Sequence, residues 1–418
     1  MKNVKHFECT ICHKKYDKEL ELLTCPECGE KGILEIVFDY DKIKKEVNYD
    51  YFKNNKNYSI WRYLPFLTVD EEHTSKTLKV GWTPLYKSEN LSKKYQTENL
   101  YFKDDGLNPT QSLKDRASVI ACMKAKELGY DTIACSSTGN AASSLAGNAA
   151  KLGLKTVIFV PKRAPLGKLL QLKLYGADLI KVDGDYKNTF NLSKAAINHY
   201  KWYNRNAAIN PHLVEGKKTV ALEIAEQLNF HVTDWVIVSV GDGCTIAGVY
   251  KGFYDLLKVG LISNIPKILG VQSEGCSPFY DAFHNNRNLE EVEENTIADS
   301  IAVGIPRNPI KGMNAVKKSN GTFVKVTDDA IVNAMKILAK NEGIFAEPAA
   351  AASLAGFIKA REEKIIKNQE SVTVIITGNG LKDQKTALNA ISNWVTLKPE
   401  LIAVIKHREE QEGDKNNE

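Results

Sequence analysis

From Val80 onward the chain repeats one pattern, a short apolar run followed by a longer amphipathic stretch. The runs are Leu100–Phe102, Thr132–Ser136, Thr156–Val160, Trp235–Ser239, Ile268–Gln272 and Val372–Ile376. Helical periodicity covers Ala141–Leu152, Leu166–Leu174 and Asp328–Asn341. Strands that lack polar alternation are buried on both faces, and alternation with helices places them in parallel sheets. The chain is therefore expected to be of the α/β class. Ligands of such folds sit at the carboxyl ends of strands, so the segments directly after the runs are where chemistry is sought.

Composition narrows the function classes. With 418 residues the chain can bury a large core and should divide into two or three domains. Its 56 basic and 51 acidic residues leave a net charge of only +5, too weak and dispersed to favour nucleic acid as a partner. No apolar run approaches the roughly 20 residues that span a bilayer, and the first residues lack the apolar core of a secretory signal. A cytoplasmic protein with no membrane partner is expected.

Lys114 lies in Asn108-Pro109-Thr110-Gln111-Ser112-Leu113-Lys114-Asp115-Arg116, between the run at Leu100–Phe102 and a helical pattern through Ala117, Ile120, Ala121 and Ala125. A lysine at a strand-to-helix junction is placed to meet a ligand. Its amine can form a Schiff base with an aldehyde once desolvation leaves it nucleophilic. The bland alternative is a solvated charge at a helix start.

Three further segments follow strands. Ser136-Ser137-Thr138-Gly139-Asn140 precedes a helix, and its free N–H groups suit a carboxylate, although Asn140 or Thr138 could simply cap the helix. Gly241-Asp242-Gly243-Cys244-Thr245 lets backbone approach an anion at a helix start. Asp242 would oppose that anion, so its side chain is expected to point away. Thr377-Gly378-Asn379-Gly380-Leu381-Lys382-Asp383 follows the last run, and Glu347-Pro348-Ala349-Ala350-Ala351-Ala352 opens a helix on its proline.

Cys9, Cys12, Cys25 and Cys28 form two C-x2-C pairs twelve residues apart. Each pair can aim two thiolates at one tetrahedral Zn²⁺, with Gly29 and Gly32 easing the turn and a strand expected over Ile33–Phe38. Four thiolates leave no open position, which makes the site structural. Residues 1–36 read as a zinc-ribbon-like module. Cys122, Cys135, Cys244 and Cys276 are scattered in apolar or small-residue surroundings, as reduced buried thiols would be. Residues 37–80 are rich in Lys, Asn and Tyr and carry no clear pattern. Residues 396–418 form a charged tail expected to be partly disordered.

The Lys114 string resembles the cofactor-lysine segment of pyridoxal-phosphate (PLP) enzymes of the tryptophan-synthase-β type, and within them threonine synthases, whose segment usually reads Asn-Pro-Thr-Gly-Ser-Phe-Lys-Asp-Arg. Gln111 stands for the glycine and Leu113 for the phenylalanine. Gly81-Trp82-Thr83-Pro84-Leu85, Gly167-Lys168-Leu169 and the segments above also match, so the resemblance runs from about residue 81 to about 392. It implies the fold-type II architecture, two interleaved α/β subdomains over 37–395 with the cofactor between them. It further implies that Lys114 carries PLP, that Asn140 meets its 3′-oxygen, that Gly241–Thr245 hold its phosphate and that Thr377 meets its pyridine nitrogen. Ser137 and Thr138 would take the substrate carboxylate. A ribbon at the N-terminus occurs in one bacterial and archaeal branch, and the resemblance is compatible with a homodimer.

The implied activity is formation of threonine from O-phosphohomoserine, an amino-acid substrate. The family's phosphate segment, Asn-Ser-x-Asn-Pro-x-Arg-x-Glu-Gly-Gln-Lys-Thr, here reads Ala207-Ala208-Ile209-Asn210-Pro211-His212-Leu213-Val214-Glu215-Gly216-Lys217-Lys218-Thr219. Leu213 replaces the arginine, leaving Lys217 and Lys168 as candidate charges. The alternatives are another PLP reaction, either ammonia loss from threonine or serine or β-replacement on a phosphoserine-like substrate as in cysteate synthase, and a non-catalytic zinc-ribbon binding protein.

Overall fold

The computed structural model describes residues 1–162, 166–184, 186–391 and 395–415. Four N-terminal strands, β1 (Val4–Cys9), β2 (Lys15–Tyr16), β3 (Thr24–Cys25) and β4 (Gly29–Phe38), form an antiparallel sheet in the order β2-β1-β4-β3. The remaining strands are β5 (Leu85–Ser88), β6 (Leu100–Asp104), β7 (Thr132–Ser136), β8 (Lys155–Pro161), β9 (Asp178–Val182), β10 (Tyr203–Asn204), β11 (Trp235–Ser239), β12 (Lys267–Ser273), β13 (Thr322–Val326) and β14 (Val372–Ile376).

They build two sheets. The order β10-β7-β8-β9 is parallel throughout, and β13-β12-β11-β14-β6-β5 is parallel except where β5 runs against β6. The apolar runs become β6, β7, β8, β11, β12 and β14. Residues 132–136, 235–239 and 372–376 are buried along their whole length, as parallel strands covered on both faces must be. The α/β fold with parallel sheets is thus observed.

Crossing of the sheet order by the chain matters for the site. Strand β6, and with it Lys114, enters the larger sheet beside β14, which arrives some 270 residues later. The loops after β6, β11 and β14 therefore open at one sheet, and those after β7 and β10 at the other.

The N-terminal sheet is not set apart from this body. Phe7, Cys9, Cys25, Leu34, Ile36 and Phe38 belong to one buried cluster with Val220, Val249 and Phe253. Strand β4 continues to Phe38, past the boundary expected at residue 36. Glu35 on β4 receives Lys251 and Lys311, each at 2.8 Å. Residues Met1–Asp383 form one compact unit and Gln384–Glu418 a second. Within the second unit, Gln384–Asn389 and Leu401–Lys415 are helical, so the charged tail includes a regular element. Among the described residues no helix is long and apolar enough to cross a membrane.

Candidate active site

Lys114 is held by its neighbours in the string. Asp115 accepts from the Thr110 N–H at 2.7 Å, from Thr110 Oγ1 at 2.8 Å and from Asn148 Nδ2 at 2.8 Å. Arg116 is fully buried and bridges Asp105 and Glu223 at 2.6 and 2.5 Å. Asn108 accepts from the Gly81 N–H at 3.0 Å, which ties the Gly81–Leu85 segment to the same loop. Two backbone bonds then stitch the string to the far segment: Leu113 N–H donates to Thr377 O at 2.9 Å, and Asn379 N–H donates to Gln111 O at 3.1 Å. Gln111, in the position of the family's glycine, has φ +68°. The left-handed region is what glycine tolerates without strain.

The helix Lys114–Glu127 begins at the lysine itself. Lys114 is half-buried in the wall of a cavity of about 930 Å³. Among the described residues it has no hydrogen-bond or ion-pair partner. Desolvation holds its ammonium below the ordinary lysine value, only partly opposed by Cys244, Asp242 and Glu347 nearby.

Ser137, Thr138, Asn140, Gly241, Asp242, Gly243, Cys244, Thr245, Lys217 and Thr377 line the same cavity. Gly243 has φ +82° and opens the 16-residue helix Cys244–Val259 with no side-chain cap, leaving its first N–H groups available. A side chain at Gly241 would press on Ile301 and Val303 at 3.1 Å. Asp242 Oδ1 accepts from the Arg307 N–H at 3.2 Å. Neither Asn140 nor Thr138 caps the helix Asn140–Leu152, which starts on Gly139 without a side-chain bond. Asn140 Nδ2 donates instead to both oxygens of Glu347, at 2.8 and 3.0 Å.

Three lining residues were not singled out by sequence reasoning. Glu347 is buried, and desolvation pushes its carboxyl up to about 7 against the help of Asn140. Its motif was visible, but nothing local marks it as facing Asn140. Arg205 and Asn206 follow β10, a two-residue strand with no legible pattern. Leu213 is 1% exposed within an apolar cluster with Val80, Ala117 and Ile120, so its position serves the core. Lys217 ends the helix His212–Lys217, and Gly216 allows that helix to meet the Lys114 helix: a Cβ there would lie 2.1 Å from Arg116 O. Burial lowers Lys217 to about 8. Lys168 lies in the helix Leu166–Leu174, and its side chain falls outside the described residues.

This geometry fits a phosphorylated aldehyde. A desolvated, unpartnered lysine, an uncapped helix start behind two glycines and a strand-end hydroxyl share one cavity. The sequence profile of the family described as pyridoxal-phosphate dependent enzyme matches residues 76–378. The chain belongs to this family. Similar proteins of the family include threonine synthase from Methanocaldococcus jannaschii, 40% identical over 385 residues, 91% of this chain and 94% of that protein. Threonine synthase from Methanosarcina acetivorans is 38% identical over 402 residues, covering 96% and 97%. Among solved structures of the same fold, a pyridoxal 5′-phosphate-dependent aspartate racemase superposes with TM-score 0.66 at 22% identity, covering 82% of this chain and 98% of that one. Threonine deaminase isoform 2 from Solanum lycopersicum gives 0.63 at 22% identity, covering 73% and 81%.

The four N-terminal cysteines lie apart from this cavity in sequence, and their sulfurs lie within 4.8 Å of one another. Cys12 and Cys25 Sγ are 3.7 Å apart, close to the edge of about 3.8 Å that four bonds of about 2.3 Å would give a tetrahedron. The Ile11 and Cys28 N–H groups donate to Cys9 and Cys25 Sγ, each at 3.4 Å, as in a metal-binding knuckle.

Proposed function

We propose that the chain is a PLP-dependent threonine synthase, a carbon–oxygen lyase that converts O-phosphohomoserine and water to threonine and phosphate. The observation that carries this reading is the likeness to threonine synthases over more than nine-tenths of both chains, supported by the cavity that Lys114 and Thr377 both line.

Lys114 would hold the cofactor covalently, with its phosphate on the N–H groups of Gly241–Thr245 and its ring nitrogen at Thr377. When bound, PLP supplies the electron sink that makes the substrate's Cα and Cβ protons acidic. A threonine hydroxyl cannot keep a ring nitrogen protonated as a carboxylate would, so Thr377 tempers that sink. With the cofactor and substrate bound, Lys114 would be the base for the Cα proton, and desolvation, which lowers its pKa, favours its neutral amine. Asn140 is oriented by Glu347 toward the same space. Ser137 and Thr138 offer a hydroxyl-rich loop to the substrate carboxylate. Over the whole reaction the Cγ–O bond to phosphate breaks, Cγ gains a proton while Cβ loses one, and water gives its hydroxyl to Cβ and its proton to the phosphate, so the atoms balance.

Leu213 favours a second reading, ammonia loss from threonine or serine, since the family's phosphate-binding arginine is absent. Side-by-side assays with O-phosphohomoserine, threonine, serine and phosphoserine separate the two. Phosphate release with threonine formation supports the synthase. Pyruvate or 2-oxobutyrate outpacing phosphate transfers the assignment to an ammonia-lyase. Cys9, Cys12, Cys25 and Cys28 are proposed to hold one structural Zn²⁺.

A further inference from the structure

Three side chains that face the cavity each carry a donor with no partner among the described residues. Arg205 is 2% exposed, and its Nε and Nη2 rest on Ser118 Oγ at 3.2 and 3.0 Å. Among the described residues no carboxylate pairs with this guanidinium, and Nη1 has no protein partner. Asn206 is also 2% exposed. Its Oδ1 accepts from the Ser136 N–H at 2.9 Å, which fixes the amide, while Nδ2 is buried without a partner. Lys217, again 2% exposed, has no partner among the described residues. All three line the cavity that holds Lys114.

We propose that Arg205, Asn206 and Lys217 form the subsite for the substrate's phosphate monoester, in place of the arginine that Leu213 displaces. The proposal rests on the threonine synthase reading. Buried cations without counter-charges are retained where a ligand brings the charge. A phosphate dianion matches two cations, and the planar guanidinium offers it the fork that a lysine lacks. The cofactor's own phosphate is assigned to the backbone N–H groups at the uncapped start of the helix Cys244–Val259, against which Lys217 packs at Gly248, so a further set of cationic donors beside it points to a second anion. Asp242, Glu291, Glu294, Asp299 and Glu347 also line the cavity, and among the described residues none of them forms an ion pair with Arg205 or Lys217. Burial lowers both Arg205 and Lys217, and Lys217 also lies in the field of Lys114 and Arg205.

The test uses the PLP-loaded enzyme and the variants Arg205→Gln, Lys217→Gln and Asn206→Asp. Each is read by KM for O-phosphohomoserine, by competitive inhibition with inorganic phosphate and by PLP affinity. Removing one charge-assisted contact should raise KM and the phosphate inhibition constant about tenfold or more, with a smaller effect on kcat and PLP affinity retained. Asn206→Asp should be the most damaging for phosphate, because it places an anion in the subsite. The retained visible band of bound PLP checks folding. Should Arg205→Gln fail to fold, the other two variants carry the same test.

Weakened PLP binding with unchanged KM would overturn the assignment and give these groups to the cofactor. Unchanged KM and unchanged phosphate inhibition would overturn it while leaving the synthase reading intact. If the parent enzyme releases no phosphate from O-phosphohomoserine, phosphate binding followed by quenching of bound PLP still decides. Loss of that binding in the variants supports the anion subsite although the synthase reading has failed, and its persistence overturns the subsite.

Discussion

Lys114 and Glu347 are both desolvated by one cavity, with opposite consequences for charge. Burial lowers the lysine and raises the carboxyl, moving each toward its neutral form. Lys114→Ala should abolish the visible band of bound PLP together with activity. Borohydride reduction that tags Lys382 instead would show the assignment to be wrong. For Glu347 the sign of the pH effect is fixed by its raised value. The unfolded carboxyl ionises near 4.5 and the folded one near 7, so the unfolded state sheds its proton first. Stability of the cofactor-free protein should fall as pH rises from about 4.5 to about 7, by something on the order of 3 kcal/mol. Glu347→Gln, neutral throughout, should match the parent in Tm below pH 4.5 and exceed it increasingly up to pH 7. A parent and variant with parallel Tm profiles would refute this. Gln111 gives a third expectation. Gln111→Gly relieves a left-handed backbone worth roughly 1–2 kcal/mol but adds unfolded-state entropy of roughly 0.5–1 kcal/mol, so it should be neutral to slightly stabilising in denaturant titration. Gln111→Val should cost well over 1 kcal/mol.

The N-terminal sheet illustrates how an element can be legible in sequence while its attachments are not. The cysteine spacing located the knuckles, and the apolar alternation located the end of β4. What the pattern could not show is that Phe7 packs edge-on against His212, ring centroids 6.0 Å apart, at the start of the helix that carries Lys217. Nor could it show that Ile33 clusters with Ala207, Ala208 and Cys244 beside the cavity. A module reading from spacing alone predicts independent folding; the shared core predicts cooperation. Phe7→Ala should therefore destabilise all of Met1–Asp383 by about 3–5 kcal/mol in a single transition. Cys12 is exposed, so Cys12→Ser should remove the proposed Zn²⁺ without opening a cavity and lower the same transition. Two resolved transitions, or metal content unchanged by mass spectrometry, would contradict this. Residues 37–80 were opaque for a similar reason: their polar helices Tyr40–Glu46 and Tyr49–Asn54 lead to Arg62, which pairs with Glu226, 164 residues away.

At the scale of the molecule, the site exists because two parallel sheets present their strand ends to one cavity. The larger sheet brings Lys114 after β6, the glycine loop after β11 and Thr377 after β14. The smaller brings Ser136–Asn140 after β7 and Arg205–Asn206 after β10. Individual strands were readable because full burial on both faces leaves a plain apolar run. Sheet order was not, since neighbours such as β6 and β14 are distant in the chain and their pairing leaves no local mark. Arg205 and Asn206 were hidden for the same cause, as their strand is too short to carry a pattern. A ligand that touches loops of both sheets must stabilise both, because binding to the folded state alone shifts the whole equilibrium. Adding PLP to the cofactor-free protein should accordingly slow hydrogen exchange at Ser136–Asn140 and at Gly241–Thr245 together. Inorganic phosphate added next should extend protection to Arg205–Asn206 and the helix His212–Lys217. Protection by PLP confined to the loops of one sheet would mean that the cofactor does not span the cavity, and the arrangement of Lys114, Asn140 and Thr377 around it would have to be abandoned.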